Sequence, residues 1–180
     1  MIRIAPIADV PPETVDLLLD QAFGTDRRGR TAYRLRDGMA AVPDLSLVAL
    51  QDGQLIGSIQ CWPIELRHDE GAAALILVGP VAVRPDRQRD GIGKMLMAAA
   101  LAAADARGCE PMVLIGDPEY YDRFFGFSAG PTAEWAVPGP VERHRLLARL
   151  RPGQDVPAKG TLGPRLGADA HRAALERQAQ

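Results

Sequence analysis

Two clusters of residues in this chain have the types and spacing to do chemistry. The first is Gln88-Arg89-Asp90-Gly91-Ile92-Gly93-Lys94, which follows the apolar run Val81-Ala82-Val83 and opens a long stretch of helical periodicity. A strand that passes through a polar, glycine-containing loop into a helix presents the helix's unpaired first N–H groups and the positive end of its dipole. Gly91 and Gly93 put no side chain in front of those groups, and Arg87, Arg89 and Lys94 add positive charge. These are the ingredients of a phosphate or pyrophosphate site. The run has neither the Lys-Ser/Thr ending of a P-loop nor the Gly-x-Gly-x-x-Gly of a dinucleotide site. A glycine-softened turn with solvated arginines is the plainer reading, and the flanking strand and helix tip the balance toward an anion site.

The second cluster is Tyr120-Tyr121, inside an aromatic run that ends at Phe127. A phenol can hand a proton to a leaving group, and two tyrosines on an amphipathic helix can equally be packing. A general base stays open among Glu65, Asp117, Glu119 and water. Asp117 is equally well placed to cap a helix that begins at Pro118. His68 and His144 read as surface residues. Cys61 and Cys109 stand 48 positions apart, without zinc or redox spacing, and read as reduced, buried thiols. No metal site is expected.

The elements that must carry these clusters follow from periodicity. Ile2 to Pro6 and Leu45 to Leu50 read as strands, and Pro11-Pro12 starts a helix with Val15, Leu18, Leu19 and Ala22 on one face. Arg27 to Met39 reads as a basic helix or helical loop. The turn Gln51-Asp52-Gly53 predicts a hairpin into Leu55 to Leu66, where Pro63 implies a bulge or an edge. Ala72 to Val83 is apolar throughout, as for a central strand, and is broken by Gly79-Pro80. A helix over Gly91 to Arg107, a strand over Pro111 to Ile115 and a helix from Asp117 come next. Further strands are expected around Glu134 to Val137 and His144 to Leu150.

The order implies an α/β chain, a central mixed sheet flanked by helices, with one right-handed crossover joining neighbouring parallel strands. Residues 1–153 read as a single domain. Residues 154–180 read as a partly helical or flexible tail, with a candidate helix over Gly167 to Gln180.

Composition sets outer limits. The 180 residues are 47% hydrophobic and 24% charged, enough apolar material for one substantial core. Lys and Arg number 21 against 23 Asp and Glu, a net charge of −2, so neither a nucleic acid nor a membrane surface is an expected partner. No signal peptide or membrane span is read, and the cytoplasm is the expected location.

The loop now identifies a resemblance. Gln88-Arg89-Asp90-Gly91-Ile92-Gly93 is similar to the Gln/Arg-x-x-Gly-x-Gly/Ala signature of the GNAT superfamily, the acetyl-CoA-dependent N-acyltransferases. It extends upstream through Val78-Gly79-Pro80-Val81-Ala82-Val83, and downstream from Ile115-Gly116-Asp117-Pro118 through Tyr120-Tyr121 to Gly126-Phe127. These segments resemble one bacterial subgroup of mostly predicted acetyltransferases, over about residues 45 to 130.

The resemblance implies a GNAT fold in which the break at Gly79-Pro80 opens a wedge for the pantetheine arm of acetyl-CoA. Backbone groups of Val81, Ala82 and Val83 would hold that arm, and Gln88, Arg89, Asp90, Gly91, Ile92, Gly93 and Lys94 the pyrophosphate. The acceptor would be a small-molecule amine or a protein amino group, attacking the thioester directly. The proton donor would be Tyr121, with Tyr120 as the alternative. The family's usual Tyr-x-x-x-Gly-Phe spacing is stretched here by the doubled Phe124-Phe125, which leaves the phase of the helix end open. The segment Arg27 to Arg36 would cover the acceptor mouth and favour an acidic acceptor, or be a solvated face. Trp62 and Trp135 would line the acceptor pocket or fill core. A homodimer is the mild expectation. The competing readings are a non-catalytic acyl-CoA-binding module and a structural α/β protein with another phosphate ligand.

Overall fold

A computed structural model describes residues 1–166 and 176–177, and the strands among them form one eight-stranded mixed sheet. β1 (Arg3–Pro6) is followed by α1 (Pro12–Phe23), which starts on a proline and stops at Gly24. Of the two forms expected over Arg27 to Met39, a basic helix or a helical loop, the structure has the second: a 3-10 turn at Arg27–Gly29 and the short α2 (Thr31–Leu35). The reason is local: Arg27 turns inward and donates from Nε to Asp20 at 2.9 Å and from Nη1 to the Tyr33 hydroxyl at 2.5 Å. A solvated helix face would have left it in water.

β2 (Leu47–Gln51) turns at Asp52-Gly53 into β3 (Gln54–His68), and β3 turns into β4 (Gly71–Val83). β1 to β4 pair antiparallel in chain order. α3 (Ile92–Arg107) then crosses over to β5 (Met112–Ile115), the parallel neighbour of β4. α4 (Pro118–Phe125), β6 (Glu134–Ala136) and β7 (Leu146–Arg149) follow, with β7 antiparallel to β5.

The structure corrects the expected tail. Lys159–Pro164 is a strand, β8, that pairs antiparallel with β3 at Ile64 to Arg67 and parallel with β6. Its Leu162 is fully buried beside Ile64, Leu66 and Trp135. Glycine and proline at its ends mask the strand in the sequence, and pairing with an edge already in place supplies what propensity lacks. The candidate helix over 167–180 lies outside the described residues except for Glu176 and Arg177. Pro63 falls between the β2 and β8 segments that flank β3, a local edge where a missing N–H costs no ladder bond.

Strand alternation sends the core to both faces. Val48 and Leu50 of β2, with Ala82 of β4, bury against Val15, Leu18 and Leu19 of α1. Ala49, Ile59 and Cys61 point the other way, against Ile92, Leu96, Met97 and Ala100 of α3. Each fully buried leucine, such as Leu96, contributes on the order of 2 kcal/mol. This packing fixes the start of α3 above the middle of the sheet.

Candidate active site

β4 and β5 share only two register positions, Ile76 with Met112 and Leu77 with Val113. Beyond Leu77, β4 continues to Val83 while β5 ends at Ile115 with its other edge held by β7. From Val78 onward the β5-facing edge of β4 therefore has no backbone partner among the described residues. The divergence coincides with Gly79-Pro80, where the register with β3 also shifts between Ile59 and Cys61. The break read from the sequence lies at the opening.

Two cavities meet there. One, of about 530 Å³, is lined by Gln88, Arg89, Gly91, Gly93 and Lys94 of the loop and the start of α3. The other, of about 580 Å³, runs along Leu77 to Val81 of β4, past Leu114 and Ile115, to the α2 region. Phe23, Val81 and Tyr121 line both. Tyr120 lines only the first.

Of the residues named from the sequence, Val81, Val83, Gln88, Arg89, Gly91, Gly93 and Lys94 line the loop cavity, and Ala82, Asp90 and Ile92 do not. Gly91 precedes α3 with φ of +74°, a left-handed conformation that a side chain resists. A β-carbon at Gly93 would only touch Val81 and Val83, at 3.9 and 3.8 Å, so the room above it is open. Arg89 and Lys94 border the cavity; the Lys94 ammonium sits 3.8 Å from the Phe124 ring centroid. Arg87 is otherwise engaged, paired with the Asp90 carboxylate and donating to Gln51 at 2.7 Å. Asp90 is thus a brace for the loop. The Ile92 side chain is buried under α3, and Ala82 faces α1, so only their backbones remain available to a ligand. Val83 borders the loop cavity beside Val81.

The tyrosines are positioned by a capped helix. The Asp117 carboxylate accepts from the Glu119 N–H at 3.0 Å, which confirms its capping role. The extra residue of Phe124-Phe125 is absorbed in a wide closing turn: the Gly126 N–H reaches the carbonyls of both Asp122 and Tyr121, and the Phe127 N–H bonds Tyr121 O at 3.2 Å. Tyr121 thereby keeps its edge-on contact with buried Phe127, with ring centroids 6.4 Å apart. Gly116 makes room for the ring, since a β-carbon there would fall 2.4 Å from Tyr121 Cε2. Burial pushes the Tyr121 phenol above its ordinary pKa, and Tyr120 and Asp117 add to the rise while Arg145 opposes it. Tyr120 is raised by burial alone. A phenol held protonated is a competent acid.

Glu65 does not join this group. It pairs with Ala74, five residues before Gly79, which is on the order of 16 Å along the strand at about 3.3 Å per residue. Of the tryptophans, Trp135 is core, donating to Pro157 O at 2.9 Å, and Trp62 donates to Gly79 O at 2.8 Å beside the opening. Two residues lining the cavity beside α2, Glu142 and Arg145, escaped the sequence reading, because they reach it from a segment outside the strands and α-helices. Burial holds the Cys61 thiol at about 12, so it is inert. Among the described residues no metal-binding cluster is present, and no helix is long and apolar enough to cross a membrane.

A split mixed sheet with an open strand edge beside a helix N-terminus is the arrangement that the GNAT resemblance implies. The acetyltransferase (GNAT) family profile matches residues 12–127, and the chain belongs to that family. Among similar proteins is the uncharacterized N-acetyltransferase YhbS of Escherichia coli, 29% identical over 126 residues, 69% of this chain and 71% of YhbS. YjhQ of Escherichia coli K12, also an uncharacterized N-acetyltransferase, is 25% identical over 69% of this chain and 70% of its own. The crystal structure of a GNAT family acetyltransferase from Brucella melitensis in complex with acetyl-CoA superposes with a TM-score of 0.65 at 27% identity, covering 93% of this chain and 97% of that one. The YhbS structure in complex with CoA gives a TM-score of 0.67 at 24% identity, over 91% and 88% of the two chains, and supports the same fold.

Proposed function

We propose that this GNAT acetyltransferase binds acetyl-CoA across the loop cavity and the open edge of β4, and acetylates an amine that enters through the cavity beside α2. The enzyme is an acetyl-CoA-dependent N-acetyltransferase, as its family membership states. The observation that carries the assignment of residues is that Tyr121 and Val81 stand where the two cavities join.

The residues fit that cosubstrate. The unpaired edge of Val78 to Val83 offers N–H and C=O groups to the pantetheine amides as a neighbouring strand would. The first-turn N–H groups of α3, with Arg89 and Lys94, face the cavity that would take the pyrophosphate. Gln88, Gly91 and Gly93 shape it, with Ile92 and Asp90 contributing backbone only.

Acetyl-CoA supplies a thioester carbonyl that a neutral amine attacks directly, a C–N bond forming as the C–S bond breaks. Tyr121 Oη gives its proton to the departing sulfur, the amine sheds its own to solvent, because no carboxylate other than exposed Glu142 borders the acceptor cavity among the described residues, and solvent returns a proton to Tyr121 to close the cycle. Tyr120, confined to the loop cavity, packs against Tyr121 edge-on at 4.9 Å and keeps its ring in place.

Calorimetric titration tests the reading. Acetyl-CoA and CoA are expected to bind in the micromolar range or tighter and ATP not to bind, after which thiol release is followed with a panel of amines. Failure of both CoA species to bind a folded protein would refute the site.

A further inference from the structure

The cavity beside α2 is lined by a buried cation, Arg36, whose Nη1 has no hydrogen-bond partner among the described residues. Arg36 is 8% exposed, and its guanidinium packs on two rings, 4.0 Å from the Tyr33 centroid and 3.8 Å from that of Trp62. Both rings are pinned: Tyr33 Oη accepts from Arg27, and Trp62 Nε1 donates to the carbonyl of Gly79 at the strand break. Ring contacts of this kind occupy a guanidinium's faces and leave its edge for bonding. On that edge Nη1 is buried without a hydrogen-bond partner among the described residues.

An unpaired buried donor on a permanent charge is costly, and the cheapest remedy is a ligand that supplies the acceptor. The surrounding charge has the matching sign. Arg27, Arg30 and Arg145 line the cavity with Arg36, against the one carboxylate of Glu142. Asp20 compensates Arg27 and Glu142 is exposed, so the field around Arg36 stays positive. Burial, with the nearby charges of Arg27 and Arg28, pushes Arg36 below its ordinary pKa, and Tyr33 opposes the shift. The volume of about 580 Å³ suits a small molecule.

We infer that the acceptor is a small amine carrying an anionic oxyacid group, carboxylate or phosphate, seated on the edge of the Arg36 guanidinium. The opposite end of such a molecule then extends along β4 toward Tyr121. The inference rests on the acetyltransferase reading for its chemistry, but the binding it describes is measurable with no acetyl-CoA present.

The sensor is built in, because Trp62 stacks on Arg36 whereas Trp135 is sealed in the core. Tryptophan fluorescence would be followed while titrating α-amino acids, their α-carboxamides, the corresponding decarboxylated amines and aminoalkyl phosphates. The acidic members are expected to bind about tenfold or more tightly than their neutral partners, and the ratio of carboxylate to phosphate affinity identifies the anion. Arg36→Gln should erase that preference. Arg36→Lys, which keeps the charge and the aliphatic stem but loses the planar fork, should reduce it severalfold and covers the case in which the Gln variant does not fold. Equal or tighter binding of the carboxamides or plain amines would overturn the inference, as would a preference undiminished in the variants. Acetyl-CoA titration of the same preparations separates the two readings: a cosubstrate that binds normally beside an absent anion preference removes only this inference.

Discussion

The two cavities that meet at Tyr121 are built by different means. The loop cavity is made mainly from one stretch, Val81 to Met97, with walls added by Ala22 and Phe23 of α1 and by Tyr120 and Tyr121; it presents backbone groups, two glycines and two cations. The acceptor cavity is assembled from four separate pieces of chain, around Arg27 to Arg36, Leu77 to Val81, Leu114 to Tyr121 and Pro140 to Arg145, and presents side chains. A cosubstrate with a constant pyrophosphate and pantetheine is served by backbone geometry, which neighbouring residues can dictate. An acceptor is chosen by side chains whose meeting depends on the whole fold.

Substitutions can separate the two sides. The largest effect is expected from Gly91→Glu, which puts a carboxylate and a strained backbone at the start of α3; acetyl-CoA affinity should fall about 100-fold or more, while the Trp62 response to acidic amines persists. Loss of both responses in a folded variant would show that the cavities are one functional unit. Next comes Tyr121→Phe, for which kcat should drop about 100-fold with the acetyl-CoA Kd within threefold; Tyr120→Phe should cost far less. Comparable losses for the two would return Tyr120 to candidacy as the donor.

The pH profile sharpens the same point. Because burial disfavours the phenolate, Tyr121 stays protonated above the ordinary phenol range, so an alkaline decline caused by this donor should begin only above about pH 10. A decline centred near neutrality that vanishes in Tyr121→Phe would contradict the raised value. Gly116→Ala should act through the same ring: the 2.4 Å approach to Tyr121 forces it to shift, at about 1–3 kcal/mol, read as a fall in Tm of several degrees and in kcat rather than in acetyl-CoA affinity. Asp117→Ala is the smallest, removing one helix cap at about 1 kcal/mol and leaving acetyl-CoA affinity in place.

The sequence expectations succeed where period and local chemistry agree. β4 as an apolar central strand, its break at Gly79-Pro80, the loop and α3 all follow from neighbours in the chain. The hairpin turn at Asp52-Gly53 does so too, whereas the register shift between Ala49 and Leu50 has no signal in the sequence. They fall short where pairing is remote. β8 has glycines and a proline that read as loop, and it becomes a strand because β3 and β6 offer it edges. The basic run from Arg27 to Arg36 read as an acceptor mouth or a solvated face, and its Arg27 and Arg36 are buried: Asp20 of α1 receives Arg27, while Arg36 packs on Tyr33 of its own segment and on Trp62 from β3.

What the chain determines on its own is the set of local devices. These are a strand that stops pairing at a glycine and proline, a glycine-bearing loop that frees the N–H groups of a helix, and a capped helix carrying two phenols. Each depends on interactions within a few residues, where spacing and propensity are enough. Which phenol stands at the junction, where Arg36 finds its rings and which side chains face an acceptor were decided only by tertiary packing. Those outcomes rest on contacts between segments up to about a hundred residues apart, such as Thr31 bonding Pro140 O at 2.8 Å, and a side chain's direction there is set by its neighbours in space rather than in sequence.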